Sequence, residues 1–198
     1  MSSEMASRKA ELRGRLCAAL RAISEVERAA GSRAICERLM GEALWRKARS
    51  ILLFMPIREE PDVSSLLNAA LNGGKRVALP RYRKAEDVYE ACWVERAADD
   101  LLPGFYGIPE PGKHCASVVG NTLDLILVPG IGFRPDGGRL GRGKGYYDQL
   151  LASVPGLTCG VAFDCQITSE VPLESHDVVL NCILTPTRWL GLTSPGRF

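Results

Sequence analysis

Apolar residues recur at helical spacing near the start of the chain. Leu12, Leu16, Leu20 and Ile23 share one face while Arg13, Arg15 and Arg21 fall elsewhere on the wheel, which predicts an amphipathic helix over Lys9–Ile23. Ser24-Glu25-Val26-Glu27 has capping-box spacing and predicts a second helix running to about Trp45, bent near Gly31. The pattern then changes period. Ser50–Met55, Arg76–Leu79, Leu123–Val128, Thr158–Phe163 and Val178–Leu184 read as apolar strands, and Val88–Val94 alternates loosely, as an antiparallel or edge strand would. Asp62 introduces a short helix over Val63–Leu71 that Asn72-Gly73-Gly74 ends, and another is expected over Tyr146–Ala152. Pro80 is expected to stop its strand, Pro103–Gly112 reads as a loop, and the stretch after Pro186 has no clear period.

Short apolar strands alternating with helices predict an α/β fold: three layers, with a mainly parallel sheet flanked by helices on both faces. One domain over residues 1–198 is expected from the length. Ligands in such sheets bind at the carboxyl ends of the strands. The loops after Met55, Leu79, Val128 and Phe163 are therefore the places to look for chemistry.

Composition narrows the class. Of 198 residues, 46% are hydrophobic and 24% charged, which excludes wholesale disorder, and a net charge of +2 argues against a broad nucleic-acid surface. No apolar run is long enough to span a bilayer. No secretory h-region is read at the N-terminus, and the acidic residues Glu4, Glu11, Glu25 and Glu27 argue against a transit peptide in its Arg-rich start. Seven cysteines without a C-x-x-C pair read as small hydrophobes in a reducing, cytoplasmic setting. Zinc is not expected, since only His114 and His176 could join them and neither has ligand spacing.

Glycine is the informative residue. Seven of the 20 glycines lie between Gly130 and Gly145, in a segment that follows a strand and opens a helix. Glycine permits positive φ and lets backbone N–H groups approach an anion. Arg134, Arg139, Arg142 and Lys144 add positive charge, so the segment is a phosphate-binding candidate. It is not a P-loop, because Gly145 stands where a magnesium-binding Ser or Thr is required. Nor is it a dinucleotide fingerprint, because Gly141-x-Gly143-x-Gly145 has the wrong spacing.

The run Leu140-Gly141-Arg142-Gly143-Lys144-Gly145-Tyr146-Tyr147-Asp148, preceded by Val128-Pro129-Gly130-Ile131-Gly132-Phe133, resembles the 5-formyltetrahydrofolate cyclo-ligase (5,10-methenyltetrahydrofolate synthetase) family. Further blocks occur in family order: Lys9-x-x-x-Arg13, Phe54 to Glu60, Pro80-Arg81, Gly107 to Pro111, and Val171-Pro172 through His176-Asp177. The resemblance implies a Rossmann-like scaffold, similar to that of sugar-phosphate isomerases and CoA-transferases. It implies ATP-dependent cyclisation of 5-formyltetrahydrofolate to 5,10-methenyltetrahydrofolate with release of ADP and phosphate. The formyl oxygen takes the γ-phosphoryl group and N10 then attacks.

By that resemblance Lys9 and Arg13 contact ATP phosphates, as an i, i+4 pair on one helix face. By spacing alone they would be a solvated charge pair. Arg139, Leu140, Gly141, Arg142, Gly143, Lys144, Gly145, Tyr146 and Tyr147 would wrap the nucleotide. Arg142, Lys144 and Tyr146 would be catalytic. Met55, Glu60 and Tyr106, with Gly143, Lys144, Gly145 and Tyr146, would bind the folate, the adjacent Glu59 being the alternative to Glu60 if the register shifts by one. Asp148 and Asp177 would hold Mg2+ with ATP as co-substrate. Small-molecule substrates and a monomer are implied, with neither nucleic acid nor membrane as partner. Asn181 and Pro61-Asp62 depart from the family pattern. Two alternatives stand beside this reading: a non-catalytic relative that kept the fold, and a sugar-phosphate isomerase or CoA-transferase type enzyme, which ATP dependence would separate.

Overall fold

Leu12, Leu16 and Leu20 are buried along one side of α1 (Ser3–Ala22), so the predicted amphipathic face is the packed one. The protein is described by a computed structural model over residues 3–119, 123–174 and 177–191; His176 lies outside the described residues. At the end of α1 the capping box closes: Ser24 Oγ accepts from the Glu27 amide at 3.2 Å, and the Ser24 amide donates to Glu27 Oε2 at 3.0 Å. This starts α2 (Glu25–Gly41), which passes Gly31 without a break. The interruption comes instead at Glu42, before α3 (Ala43–Lys47). Gly31 serves packing rather than bending, because a Cβ there would lie 3.1 Å from the Phe163 ring.

The strands and helices follow as β1 (Ser50–Leu52), α4 (Ser64–Asn72), β2 (Arg76–Arg83), β3 (Val88–Val94), α5 (Ala97–Asp100), β4 (Leu101–Pro103), β5 (Pro109–Pro111), β6 (Leu123–Val128), β7 (Gly132–Phe133), β8 (Arg139–Leu140), α6 (Tyr146–Ser153), β9 (Gly156–Val161), β10 (Cys182–Leu184) and β11 (Trp189–Gly191). Seven strands form one sheet in the order β11-β10-β9-β6-β1-β2-β3. The pairs from β10 to β2 are parallel, while β3 and β11 close the edges antiparallel. The α/β expectation, with a mainly parallel sheet, is met.

Alternation along the strands builds two faces. Ile51, Leu53, Val77, Leu125 and Leu127 meet α2, α3 and α4 on one side; Leu52, Ala78, Ile126 and Val128 meet Leu150 and Leu151 of α6 on the other. A third, smaller core joins Leu12 and Leu16 of α1 to Ile131, Leu140 and Val171. That contact sets α1 against the glycine-rich segment.

Three local expectations need correction. Pro80 does not stop β2, which continues to Arg83. Arg76 and Ala78 bond toward the β1 side, so by alternation Pro80 also faces that side, where β1 has already ended and no N–H is needed. Pro103–Gly112 is not a plain loop: β4 and β5 pair antiparallel around a 3-10 turn at Phe105–Gly107. The chain after Pro186 supplies β11, an edge strand too short to show a period.

Candidate active site

The sheet reverses its order between β1 and β6, and a cavity of about 450 Å³ opens beyond their carboxyl ends. This is where an open α/β sheet leaves room for a ligand. Met55, Ile57 and Glu60 enter from the segment after β1, and Pro129 and Gly130 from the end of β6. Pro80 and Tyr89 come from the edge pair β2–β3, Tyr106 and Ile108 from the β4–β5 turn. The remaining wall is the glycine-rich segment and the first turn of α6. Three of the four loops singled out by the strand-end rule therefore contribute. The loop after Phe163 works from behind: buried Gln166 Nε2 donates to the Gly130 carbonyl at 2.7 Å and to that of Ile131 at 3.2 Å.

The glycine-rich segment is a folded hairpin. β7 and β8 pair antiparallel around a turn in which the Arg134 amide donates to the Gly138 carbonyl at 2.7 Å. Gly137 has φ +99°, and a Cβ there would lie 2.2 Å from the Leu180 carbonyl oxygen. After β8 the chain crosses the cavity mouth with φ +97° at Gly143 and +71° at Gly145, the residue that opens α6. These are left-handed positions that glycine occupies without steric cost. Arg134, one of the four cations expected to serve the loop, pairs with Asp136 inside the turn and does not line the cavity.

Arg139 is the buried cation of the hairpin. Its Nη2 donates to Asp148 Oδ1 at 2.6 Å, its guanidinium carbon sits 5.9 Å from the centre of the Tyr147 ring, and its buried Nε has no partner. Tyr147 is held well above the usual tyrosine pKa, by burial first and then by the charge of Glu60. On the opposite side Arg13 Nε donates to the Gly141 carbonyl at 2.8 Å, and its guanidinium lies over Gly143. Lys9, one helical turn earlier, is buried and donates to Glu174 Oε2 and Asp177 Oδ2, each at 2.9 Å. Burial alone would lower its pKa, but the bonds to Asp177 and Glu174 outweigh it and the pKa is raised.

Glu60 is a buried carboxylate lining the cavity, accepting from the Ile57 amide at 3.2 Å and lying 3.5 Å from Arg142 Nε. Burial pushes its pKa up and Arg142 pulls it part of the way back. Arg142 also reaches Glu59 at 3.9 Å. Lys144 is exposed at the rim. The wall facing them is aromatic. Tyr146 meets Tyr89 edge to face, with centroids 5.3 Å apart; Tyr82 stacks on Phe105 at 3.9 Å; and Phe105 lies 4.0 Å from Tyr106. Burial raises Tyr89 to about 12. Tyr106 is 79% exposed at φ +57°, displayed toward solvent by a left-handed turn.

Met55, Glu60, Tyr106, Arg139, Gly141, Arg142, Lys144, Gly145, Tyr146, Tyr147 and Asp148 thus share one cavity. Leu140 packs behind it against α1, Arg13 and Gly143 touch each other at its edge, and Lys9 and Asp177 form a separate ion pair. The sequence reading missed Tyr82, Asp87, Tyr89 and Glu110. Asp87 Oδ1 accepts from Tyr82 Oη at 2.6 Å and from Tyr146 Oη at 2.7 Å. Glu110 accepts from the Tyr82 and Phe105 amides at 3.0 and 3.2 Å. Only Glu110 had a signal, in the Gly107–Pro111 block. Asn181 binds Thr158 and joins β9 to the approach of β10, so its place is structural.

His114 does have partners, Asp100 and Cys115, whose ligand atoms lie within 4.8 Å of one another. Asp100 also accepts from the Glu95 and Arg96 amides, and burial pushes the Cys115 thiol up. The group ties the residue before β4 to the segment after β5, at the open end of that pair. No helix among the described residues is long and apolar enough to cross a membrane.

A sequence profile of the 5-formyltetrahydrofolate cyclo-ligase family matches residues 5–186. Relatives named 5-formyltetrahydrofolate cyclo-ligase include one from Mus musculus, 31% identical over 90% of this chain and 93% of its own, and one from Mycolicibacterium smegmatis, 32% identical over 91% and 94%. Among solved structures, the 5,10-methenyltetrahydrofolate synthetase of Aquifex aeolicus is similar, with a TM-score of 0.84 and 30% identity over 96% of this chain and 95% of that one.

Proposed function

The chain belongs to the 5-formyltetrahydrofolate cyclo-ligase family, and on that premise we propose that it converts 5-formyltetrahydrofolate and ATP to 5,10-methenyltetrahydrofolate, ADP and phosphate. One observation carries the reading: a single cavity has an apolar and aromatic interior with two buried carboxylates, Glu60 and Glu110, and a cationic glycine-rich mouth. The first half suits a flat, hydrogen-bonding ring system, the second a polyphosphate.

In the proposed reaction the formyl oxygen attacks the γ-phosphorus and ADP leaves. N10 then attacks the activated carbon, loses its proton, and expels phosphate with the former formyl oxygen. Neither step needs a covalent bond to the protein, so its task is placement and charge stabilisation. Glu60 would accept hydrogen bonds from pterin N–H groups, beside Met55. Tyr106 and Tyr146 would flank the ring. Arg142 and Lys144 would meet the negative charge that grows on the transferring oxygens, and Gly141, Gly143 and Gly145 would admit the phosphates to backbone range. Arg13 would bind phosphate from the α1 side, with Arg139, Leu140 and Tyr147 as the floor of the nucleotide site. Lys9 would join Arg13 by exchanging a carboxylate partner for a phosphate.

Magnesium fits Asp148. It lines the cavity with Oδ1 bonded to Arg139, so Oδ2 would be the oxygen offered to an ion that takes one or two carboxylates plus phosphate oxygens and water. Asp177 would have to serve with the oxygen not bonded to Lys9. Bound there, the ion would neutralise phosphate charge. A cytoplasmic monomer completes the proposal: the cavity is built within one chain, and five of the seven free cysteines are buried, as a reducing compartment permits.

The test is the near-ultraviolet chromophore of the methenyl product. It is expected on mixing protein, 5-formyltetrahydrofolate and Mg-ATP, and not without ATP. Folded protein that gives no chromophore would overturn the reading. Turnover without ATP would favour an isomerase or transferase.

A further inference from the structure

We propose that Asp87 is a positioning residue of this site, holding the aromatic wall of the folate pocket to the start of α6; the proposal rests on the reading of the cavity given above. Asp87 lies in the turn between β2 and β3 and is exposed. Its φ is +53°, a left-handed position that only a few per cent of non-glycine residues adopt, although Asp and Asn do so more readily than others. The turn reads Lys84-Ala85-Glu86-Asp87, with no glycine to relieve it.

That backbone places one oxygen, Oδ1, within 2.6 Å of Tyr82 Oη and 2.7 Å of Tyr146 Oη. The two donors belong to different parts of the fold. Tyr82 is in β2 and stacks on Phe105, with centroids 3.9 Å apart and ring planes 13° apart. Tyr146 is the first residue of α6 and follows the glycine-rich segment directly. The rings of Tyr82 and Tyr146 are 5.8 Å apart, so they do not stack on each other, and the shared carboxylate ties their hydroxyl ends. Short O–H···O⁻ bonds of this kind are the stronger class of hydrogen bond.

Asp87 thereby joins the two halves of the cavity. Through Tyr82 it reaches Phe105 and Tyr106; through Tyr146 it fixes a ring of the cavity wall that would flank the folate. The two hydroxyls hold the Asp87 carboxyl below its usual pKa, and the charge of Lys144, two residues before Tyr146, adds to this. A tyrosine ring free to swing about its side-chain bonds would lose the fixed edge against which a planar ligand is placed.

Two variants separate positioning from folding. Asp87→Gly keeps the left-handed turn without strain and removes the acceptor; Asp87→Asn keeps turn and acceptor but not the charge. Calorimetric titration with 5-formyltetrahydrofolate, steady-state kinetics and thermal unfolding are measured for each. Asp87→Gly is expected to weaken folate binding and raise its KM by about tenfold, one well-aligned bond network's worth, with KM for ATP and Tm little changed. Asp87→Asn is expected to recover most of the loss. In the ligand-free protein, the 295 nm absorbance titration of tyrosine is expected to move to lower pH in Asp87→Gly. Wild-type folate affinity in Asp87→Gly, or a loss that follows Tm and is not rescued by Asp87→Asn, would overturn the positioning role. If the wild type itself failed to bind the folate, the cavity reading would fall and this proposal with it, and the tyrosine titration would still report the clamp by itself.

Discussion

Arg139 and Asp148 meet at 2.6 Å across the boundary between core and cavity: the arginine side chain is 5% exposed and the aspartate 36%. The pair fixes the start of α6 to β8. Arg139 has little else, a 3.4 Å bond to the Pro129 carbonyl and an unpartnered Nε. Removing the acceptor would leave a buried guanidinium nearly alone, which is costly.

Asp148→Ala is therefore expected to lose about 1–3 kcal/mol of stability in denaturant unfolding. Asp148→Asn, which keeps a neutral acceptor, is expected to lose less. Both are expected to need about tenfold more magnesium for half-maximal activity, since each lacks the ligand oxygen. Full stability in the Ala variant would mean that Arg139 relaxes to another partner. An unchanged magnesium requirement would remove Asp148 from the metal site.

Arg142 offers the opposite profile. Its side chain is 44% exposed, and its ion pairs with Glu60 and Glu59 are long, at 3.5 and 3.9 Å. Arg142→Ala is expected to cost less than about 1 kcal/mol, because Glu60, whose pKa Arg142 holds down, can take up a proton when the cation is lost. It is expected to lower kcat by about 10²–10³, as loss of one donor to a developing oxyanion does. Wild-type turnover in this variant would remove the segment from catalysis.

Glu60 makes a pH-dependent prediction whose sign runs against the usual carboxylate. Burial raises its folded pKa above the unfolded value, so between the two values the folded state binds more protons. Stability then falls as pH rises through that window, and the deficit persists above it. Glu60→Gln removes the deficit. It is expected to equal wild type in acid and to gain in Tm relative to it as the pH passes upward through the carboxylate range, while folate affinity falls. A constant Tm difference across that range would mean that Glu60 is not held in its raised state.

The parallel sheet was legible because strand interiors buried on both faces leave long apolar runs, as at Leu123–Val128. The glycine-rich segment was legible because its residues are contiguous and its chemistry is unusual. What escaped depends on contacts far apart in sequence. Nothing in Lys84–Asp87 marks a residue that binds Tyr146, 59 positions on. Tyr89 read as one position of an alternating strand. The two-residue strands β7 and β8 are shorter than any period. Pro80 misled because a propensity rule cannot know that the neighbouring strand has already ended.

The glycines of the hairpin are expected to divide by role. A Cβ on Gly137 would meet the Leu180 carbonyl oxygen at 2.2 Å, a backbone atom with nowhere to move, and φ is +99°. Gly137→Ala is expected to lose about 3 kcal/mol or more, or to fail to fold. At Gly143 the nearest atom is the Arg13 guanidinium carbon at 3.5 Å, ordinary contact, although φ is +97°. Gly143→Ala is expected to lose about 1 kcal/mol and to raise KM for ATP, because the new methyl stands where phosphate must approach. Equal stability loss at both sites, with unchanged ATP affinity at the second, would contradict the division.

Lys9 carries the last prediction, because its charge has two competing uses. It is held between Glu174 and Asp177 at 2.9 Å each, with side chains 9%, 16% and 15% exposed. Its folded pKa is raised: burial works against this, and the bonds to Asp177 and Glu174 prevail. A raised lysine contributes stability that is fully present below the unfolded lysine value and is lost as pH rises through the folded one. Lys9→Met keeps the apolar stem and removes the cation that bonds both Glu174 and Asp177. Its cost is expected to be about 2–4 kcal/mol near neutrality. The Tm gap to wild type is expected to stay constant up to about pH 10 and to close only above the ordinary lysine range. If Lys9 also serves ATP, KM for ATP rises in the same variant while folate affinity, measured without nucleotide, stays at the wild-type value. A gap that closed already at neutral pH would show that the carboxylates, rather than Lys9, set the linkage. Loss of both affinities together would make Lys9 a purely structural strut of α1.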